Sequence, residues 1–233
     1  PGAISYAFLP HTPHSIELAK HAHSLGKEVM LHAPMENKAG LRLGPGAMTH
    51  DQSDDQLKKT LHGDFDVIPH VVGMNNHMGS LLTEDREKMQ QVMTVMQQRN
   101  MFFLDSVTTS KTVAWKVANE YGIPYLVRDV FLDNEPSWHA IHQQFKQALK
   151  IAMQQRHAVL IGHPYPETVA YLEKALPVLD QLGIRLVSAS ELLRQRSQHQ
   201  LMLAQPRVVE PCDTREGHCI GEPMAAHLPA KAE

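Results

Sequence analysis

Cysteine is nearly absent. The 233 residues hold two, Cys212 and Cys219, both near the C-terminus, so no disulfide framework staples the first 200 residues. Aromatic residues make up 6%, too few for a base-stacking platform on single strands. A basic excess is also missing: 22 Lys and Arg stand against 25 Asp and Glu, a net charge of −3. That argues against a non-specific nucleic-acid binder, which needs positive charge to displace counterions. No apolar run reaches the roughly 18 residues of a membrane helix, so no transmembrane segment is expected. Neither GxGxxG nor GxxxxGK[ST] occurs, which disfavours nucleotide binding. The opening Pro1-Gly2 shows no initiator Met, no basic stretch and no apolar h-region, so no signal peptide is visible.

What is present is a hydrophobic fraction of 42%, enough for one domain with a sizeable core, and 16 histidines. Histidine is the commonest metal ligand and the usual acid or base near neutral pH. Short apolar runs recur at Ala3–Leu9, Glu28–Ala33, His70–Met74, Met101–Leu104, Pro124–Val127, Ala158–Ile161 and Ile184–Val187. Their length and their β-branched and aromatic content fit buried parallel strands. Helical patterns lie between them, at about 13–25, 53–65, 84–99, 110–121, 138–156, 166–182 and 189–200. Thr12-Pro13, Thr83 and Ser137 read as helix starts, and Gly122 and Gly183 as helix ends. The segment 36–52 reads as a long loop leaving the second strand. Seven strand–helix units give an α/β fold with a parallel sheet, closed as a barrel or open and doubly wound. Residues 1–200 form this domain. Residues 201–233, with four prolines and scattered charge, read as a flexible C-terminal tail.

In parallel α/β folds, chemistry gathers at the C-terminal ends of the strands. Here those ends carry His11, His32, Asn75-Asn76-His77, Asp105-Ser106, Arg128-Asp129, His163 and Ser188. His32, in Met30-Leu31-His32-Ala33-Pro34-Met35-Glu36, reads as a metal ligand or as a core histidine, with Pro34 stopping its strand. Glu36 either faces the site or faces water. Asn75, Asn76 and His77 are costly to bury without partners, which favours a site over an ordinary turn. Asp105 follows Met101-Phe102-Phe103-Leu104 and reads as a ligand, a support for a ligand histidine, or a turn cap. His163, between Gly162 and Pro164, reads as a general acid, a ligand or a turn. Arg128 either pairs with Asp129 or orients a carboxylate. In the tail, Cys212-x6-Cys219 with His218 reads as a local disulfide, as two unrelated thiols or as a weak zinc-like pattern.

Four stretches in this order and spacing, Met30–Glu36, Gly73–Ser80, Phe103–Ser106 and Ile161–Pro164, resemble the divergent polysaccharide deacetylase family, the YibQ-like proteins. The resemblance covers about residues 1–194, and Asn75–Ser80 is its most specific part. It implies a distorted (β/α)7 barrel of the NodB carbohydrate-esterase type and a divalent metal, with zinc expected. It also implies hydrolysis of acetyl groups on a carbohydrate such as a cell-envelope glycan, in an exported, periplasmic protein. His32 and His77 then become metal ligands, and His163, Asp105 and Arg128 the catalytic set. Asn75, Asn76 and Glu36 become substrate contacts. The family also carries an Asp-Asp pair on a strand upstream of Ala3, which this chain does not contain. The expected barrel therefore lacks its first strand and the chain reads as a fragment. The alternative is a non-catalytic carbohydrate- or envelope-protein-binding domain.

Overall fold

The computed structural model describes residues 2–204; Cys212, Cys219, His218 and residues 205–233 of the expected tail lie outside them. Strands β1 (Ser5–Phe8), β2 (Glu28–Met35), β3 (Val71–Met78), β4 (Phe102–Asp105) and β5 (Tyr125–Val127) form one parallel sheet in sequential order. A second parallel pair joins β6 (Val130–Phe131) to β7 (Leu160–Ile161). Helices α1 (Ser15–Ser24), α2 (Asp54–Val67), α3 (Arg86–Gln98), α4 (Ala114–Glu120), α5 (Trp138–Gln155), α6 (Pro166–Ala175) and α7 (Ala189–Ala204) complete the order.

The strand order separates the two architectures that periodicity leaves open. A doubly wound sheet reverses direction at a switch point; here β1 to β5 never reverse. The backbone bends after Val127, and the N–H groups of Asp129 and Val130 both reach Val159 O. The β5–β6 segment thus leaves β4 and pairs with β7. The result is a barrel-type progression that stands open between β1 and β7 among the described residues.

Two strand expectations are corrected. Ile184–Val187 forms no strand; Ile184 and Leu186 pack as side chains against Leu132, Ile141 and Tyr171. β6, only two residues long, carries no readable pattern. Pro34 does not stop β2: proline lacks only the donor, its carbonyl accepts Met48 N–H, and the strand runs on to Met35. The 36–52 segment is anchored rather than loose. Glu36 N–H bonds Met48 O, and the Met48 side chain is fully buried.

Local signals explain the helices. Ser53 and Gln56 form a reciprocal capping box on α2, Asp85 caps α3 and Ser137 caps α5. Thr83 lies instead in a 3-10 turn before α3. Thr12 is not the cap of α1: its hydroxyl goes to Leu9 O, and the helix starts after His14. The main core lies between the sheet and α1 to α4 and is rich in methionine, with Met35, Met48, Met74, Met89, Met93 and Met96 all buried. These flexible thioethers fill irregular gaps. Phe102 packs where a Cβ on Gly73 would stand, 2.6 Å away, which explains a glycine inside β3.

Candidate functional site

β2 and β3 pair so that His32 lies beside Asn75 and Pro34 beside His77. This register brings the two imidazoles together: His77 Nδ1 is 3.0 Å from His32 Nε2. His32 Nδ1 is 3.0 Å from Asn75 Oδ1, while Asn75 Nδ2 donates to Ser106 Oγ. Because the Asn75 oxygen can only accept, Nδ1 of His32 carries the proton and Nε2 presents its lone pair. Burial, with help from the neighbouring His77, lowers the His32 pKa to about 3; burial and His163 also lower that of His77. Both rings are therefore neutral at pH 7, the form that binds metal.

His163 reaches the same place from the opposite side of the opening. His32, His77 and His163 line one pocket of about 460 Å³ between β1 and the end of β7. Ala7, Phe8 and Leu9 give it an apolar wall, and the β1–α1 loop contributes Thr12 to Ser15. Asp133, fully shielded, fixes His163: its Oδ1 lies 3.1 Å from Nδ1, and its Oδ2 accepts the His163 N–H at 2.6 Å and the Thr168 hydroxyl at 2.8 Å. With Nδ1 held, Nε2 of His163 is the nitrogen left to act. Asp133 and Thr168 were not anticipated from sequence. Asp133 follows the unreadable β6, and its one signal is its place after the apolar run Val130-Phe131-Leu132.

The remaining expected residues have other partners. Asp105 is buried, and that burial raises its pKa. It accepts Val107 N–H and the Thr112 hydroxyl, and none of its hydrogen bonds goes to an imidazole. Arg128 does not clamp a carboxylate; Nε and Nη2 donate to the carbonyls of Ser106 and Val107. Asn75 and Asn76 are buried and brace the scaffold, with Asn76 bonded to Met78 O and Ser106 N. The hydrogen bonds that both amides make go to the protein itself. Glu36 binds the backbone and ring of His50 and does not line the pocket.

As a metal centre the donor set fits in part. Two neutral imidazoles stand at the spacing of neighbouring ligands, but no group of three or more His, Cys, Asp or Glu side chains converges among the described residues.

The sequence matches the divergent polysaccharide deacetylase family over residues 1–193, and the chain belongs to that family. It is 37% identical to the uncharacterized protein YibQ of Escherichia coli K12 over 195 residues, 84% of this chain and 61% of that protein. An uncharacterized protein of Haemophilus influenzae Rd is 35% identical over 194 residues, 83% of this chain and 69% of its own. This chain thus spans less than two thirds of the E. coli relative's length. The crystal structure of uncharacterized protein ATU2773 from Agrobacterium tumefaciens C58 superposes with a TM-score of 0.75 at 20% identity, over 82% of this chain and 87% of that one. That likeness supports the α/β fold alone.

Proposed function

We propose that the protein contributes the metal- and acid-bearing part of a carbohydrate deacetylase, hydrolysing an acetyl amide or ester on a glycan. One observation carries this reading: of the four histidines that line a single pocket, His32 and His77 stand at ligand spacing and His163 is backed by a buried carboxylate. His32 and His77 would hold a divalent ion, with zinc the first choice for imidazole donors. Such an ion supplies a polarised acetyl carbonyl and a water acidified towards pH ~7. Asn75 presents the lone pair of His32. His163 protonates the departing amine or alkoxide through Nε2, and Asp133 stabilises the imidazolium before that transfer. Arg128 and Asp105 act as positioning residues for the 105–112 segment. A cell-envelope glycan as substrate and a periplasmic location belong to the same proposal.

A second reading has its own observation. Among the described residues no carboxylate lines the pocket, so no carboxylate base stands there. A non-catalytic glycan-binding domain would have the same pocket. Acetate release decides between them. The zinc-loaded chain is incubated with acetylated chitooligosaccharides and with peptidoglycan. Release that disappears with His163→Ala supports the enzyme. Glycan binding without release sinks it.

A further inference from the structure

A second buried carboxylate takes no part in the chemistry above. Asp64, on α2, is shielded from solvent, and its Oδ1 lies 3.0 Å from His11 Nε2. The relation matches that of Asp133 to His163, 3.1 Å, with a similarly half-exposed imidazole in each case. The second oxygens differ. Asp133 Oδ2 receives a backbone N–H and a hydroxyl, whereas Asp64 Oδ2 has no hydrogen-bond partner among the described residues. An ionised carboxylate so placed is costly unless positive charge meets it. Burial pushes its pKa up to about 8.

The surroundings make room for such a charge. Asp64 and His11 line a pocket of about 430 Å³ that also borders Gly46 and Thr60. Gly46, at φ +77, lies against the carboxylate, where a Cβ would fall 2.2 Å from Oδ1. His11 adopts φ 55, a left-handed conformation uncommon for a residue other than glycine and costly to hold. Lys59 also borders the pocket, but it is an exposed helix residue whose long side chain can turn to water.

We propose that His11 and Asp64 form a second cation site, apart from the His32–His77 pocket, which takes a divalent transition-metal ion with water completing its shell. Metal–ligand bonds of about 2.1 Å set neighbouring donors about 3.0 Å apart at the right angles of an octahedral shell and about 3.4 Å apart at tetrahedral angles; Nε2 and Oδ1 stand 3.0 Å apart here. An imidazole beside a carboxylate suits zinc, cobalt or nickel better than magnesium or calcium. The ion meets the charge of Asp64 and so removes the need to protonate it. The site sits on the outer side of the β1–α1 loop: His11 faces it, while Thr12 to Ser15 line the imidazole pocket.

The test uses the whole chain carrying His32→Ala, His77→Ala, Cys212→Ser and Cys219→Ser, stripped with chelator, loaded with zinc chloride and desalted. Elemental analysis is expected to find bound zinc, and adding His11→Ala should remove one equivalent per chain. Asp64→Asn should do the same. If it fails to fold by circular dichroism, His11→Ala decides, because His11 is a loop residue outside the core. Absence of zinc in the starting chain, or its full retention after His11→Ala, overturns the proposal.

Discussion

Asp105 and Arg128 hold one residue from its two ends. Asp105 accepts the N–H of Val107, and Arg128 donates to its carbonyl at 2.7 Å. Val107 needs this grip, because a β-branched residue at φ 48 is strained. The same arginine also bonds Ser106 O, and Ser106 Oγ accepts from Asn75. The grip therefore passes to the imidazole site through Asn75.

Arg128→Met should remove two charge-assisted bonds to buried backbone and cost about 2–4 kcal/mol. Arg128→Lys should recover less than half, because an ammonium cannot span both carbonyls as a planar fork does. Urea midpoints of the three proteins check this. Equal midpoints would show the grip to be idle.

Asn75→Leu should leave the chain folded but free the His32 ring to take either tautomer. Zinc affinity should then fall roughly 10–100-fold, as it does when supporting groups of metal-binding histidines are lost. Calorimetric titration reads the change, and Asn75→Asp, which keeps an acceptor, should retain more affinity.

In chelator-treated protein, His32 should govern the acid limb of stability. Its folded pKa of about 3 lies below the unfolded 6.5. Its contribution is thus complete above pH 6.5 and is lost as pH falls towards 3. His32→Asn should flatten that limb by more than about 1 kcal/mol between pH 6.5 and 4, read from urea midpoints.

Asp64 should act in the opposite sense. Its folded pKa, about 8, lies above the unfolded 3.8. The folded state then holds more protons between these values, so stability is highest below pH 4 and falls as pH rises to 8. Metal-free Asp64→Asn should lose this slope and unfold later than the parent at pH 8. A parent curve already flat from pH 5 to 8 would contradict a carboxylate buried with one oxygen unpartnered.

If the chain deacetylates, Asp133→Asn should lower kcat by about 100-fold or more, since the amide no longer stabilises the His163 imidazolium. KM should change little. Thr168→Val, which removes one donor to Asp133, should show a smaller loss and a shifted pH profile.

Most of the fold is legible in the sequence because periodicity and caps agree. Ser137 and Gly122 mark real helix boundaries, and six of the expected apolar runs overlap strands. The failures have physical causes. β6 is too short to show a pattern, and Ile184–Val187 is apolar because it packs, not because it pairs. At the site, the convergence of His32, His77 and His163 follows from their places at strand ends. The roles of Asp105, Asn75 and Asn76 do not, because only side-chain direction shows Asp105 and Asn76 bracing backbone and Asn75 bracing His32. The Asp133 support for His163 needs a contact across thirty residues that no local pattern encodes.

The segment after β2 resembles a strap fastened by a button. Met48, fully buried and bridged to Met35, is the button, while Lys38 to Gly44 run along the outside, tied by Lys38 to Glu84 and by Leu41 to the Asn37 side chain. A peptide tag or fluorophore spliced between Gly40 and Gly44 should leave the barrel intact, whereas trimming the strap back past Met48 would pull a plug from the core.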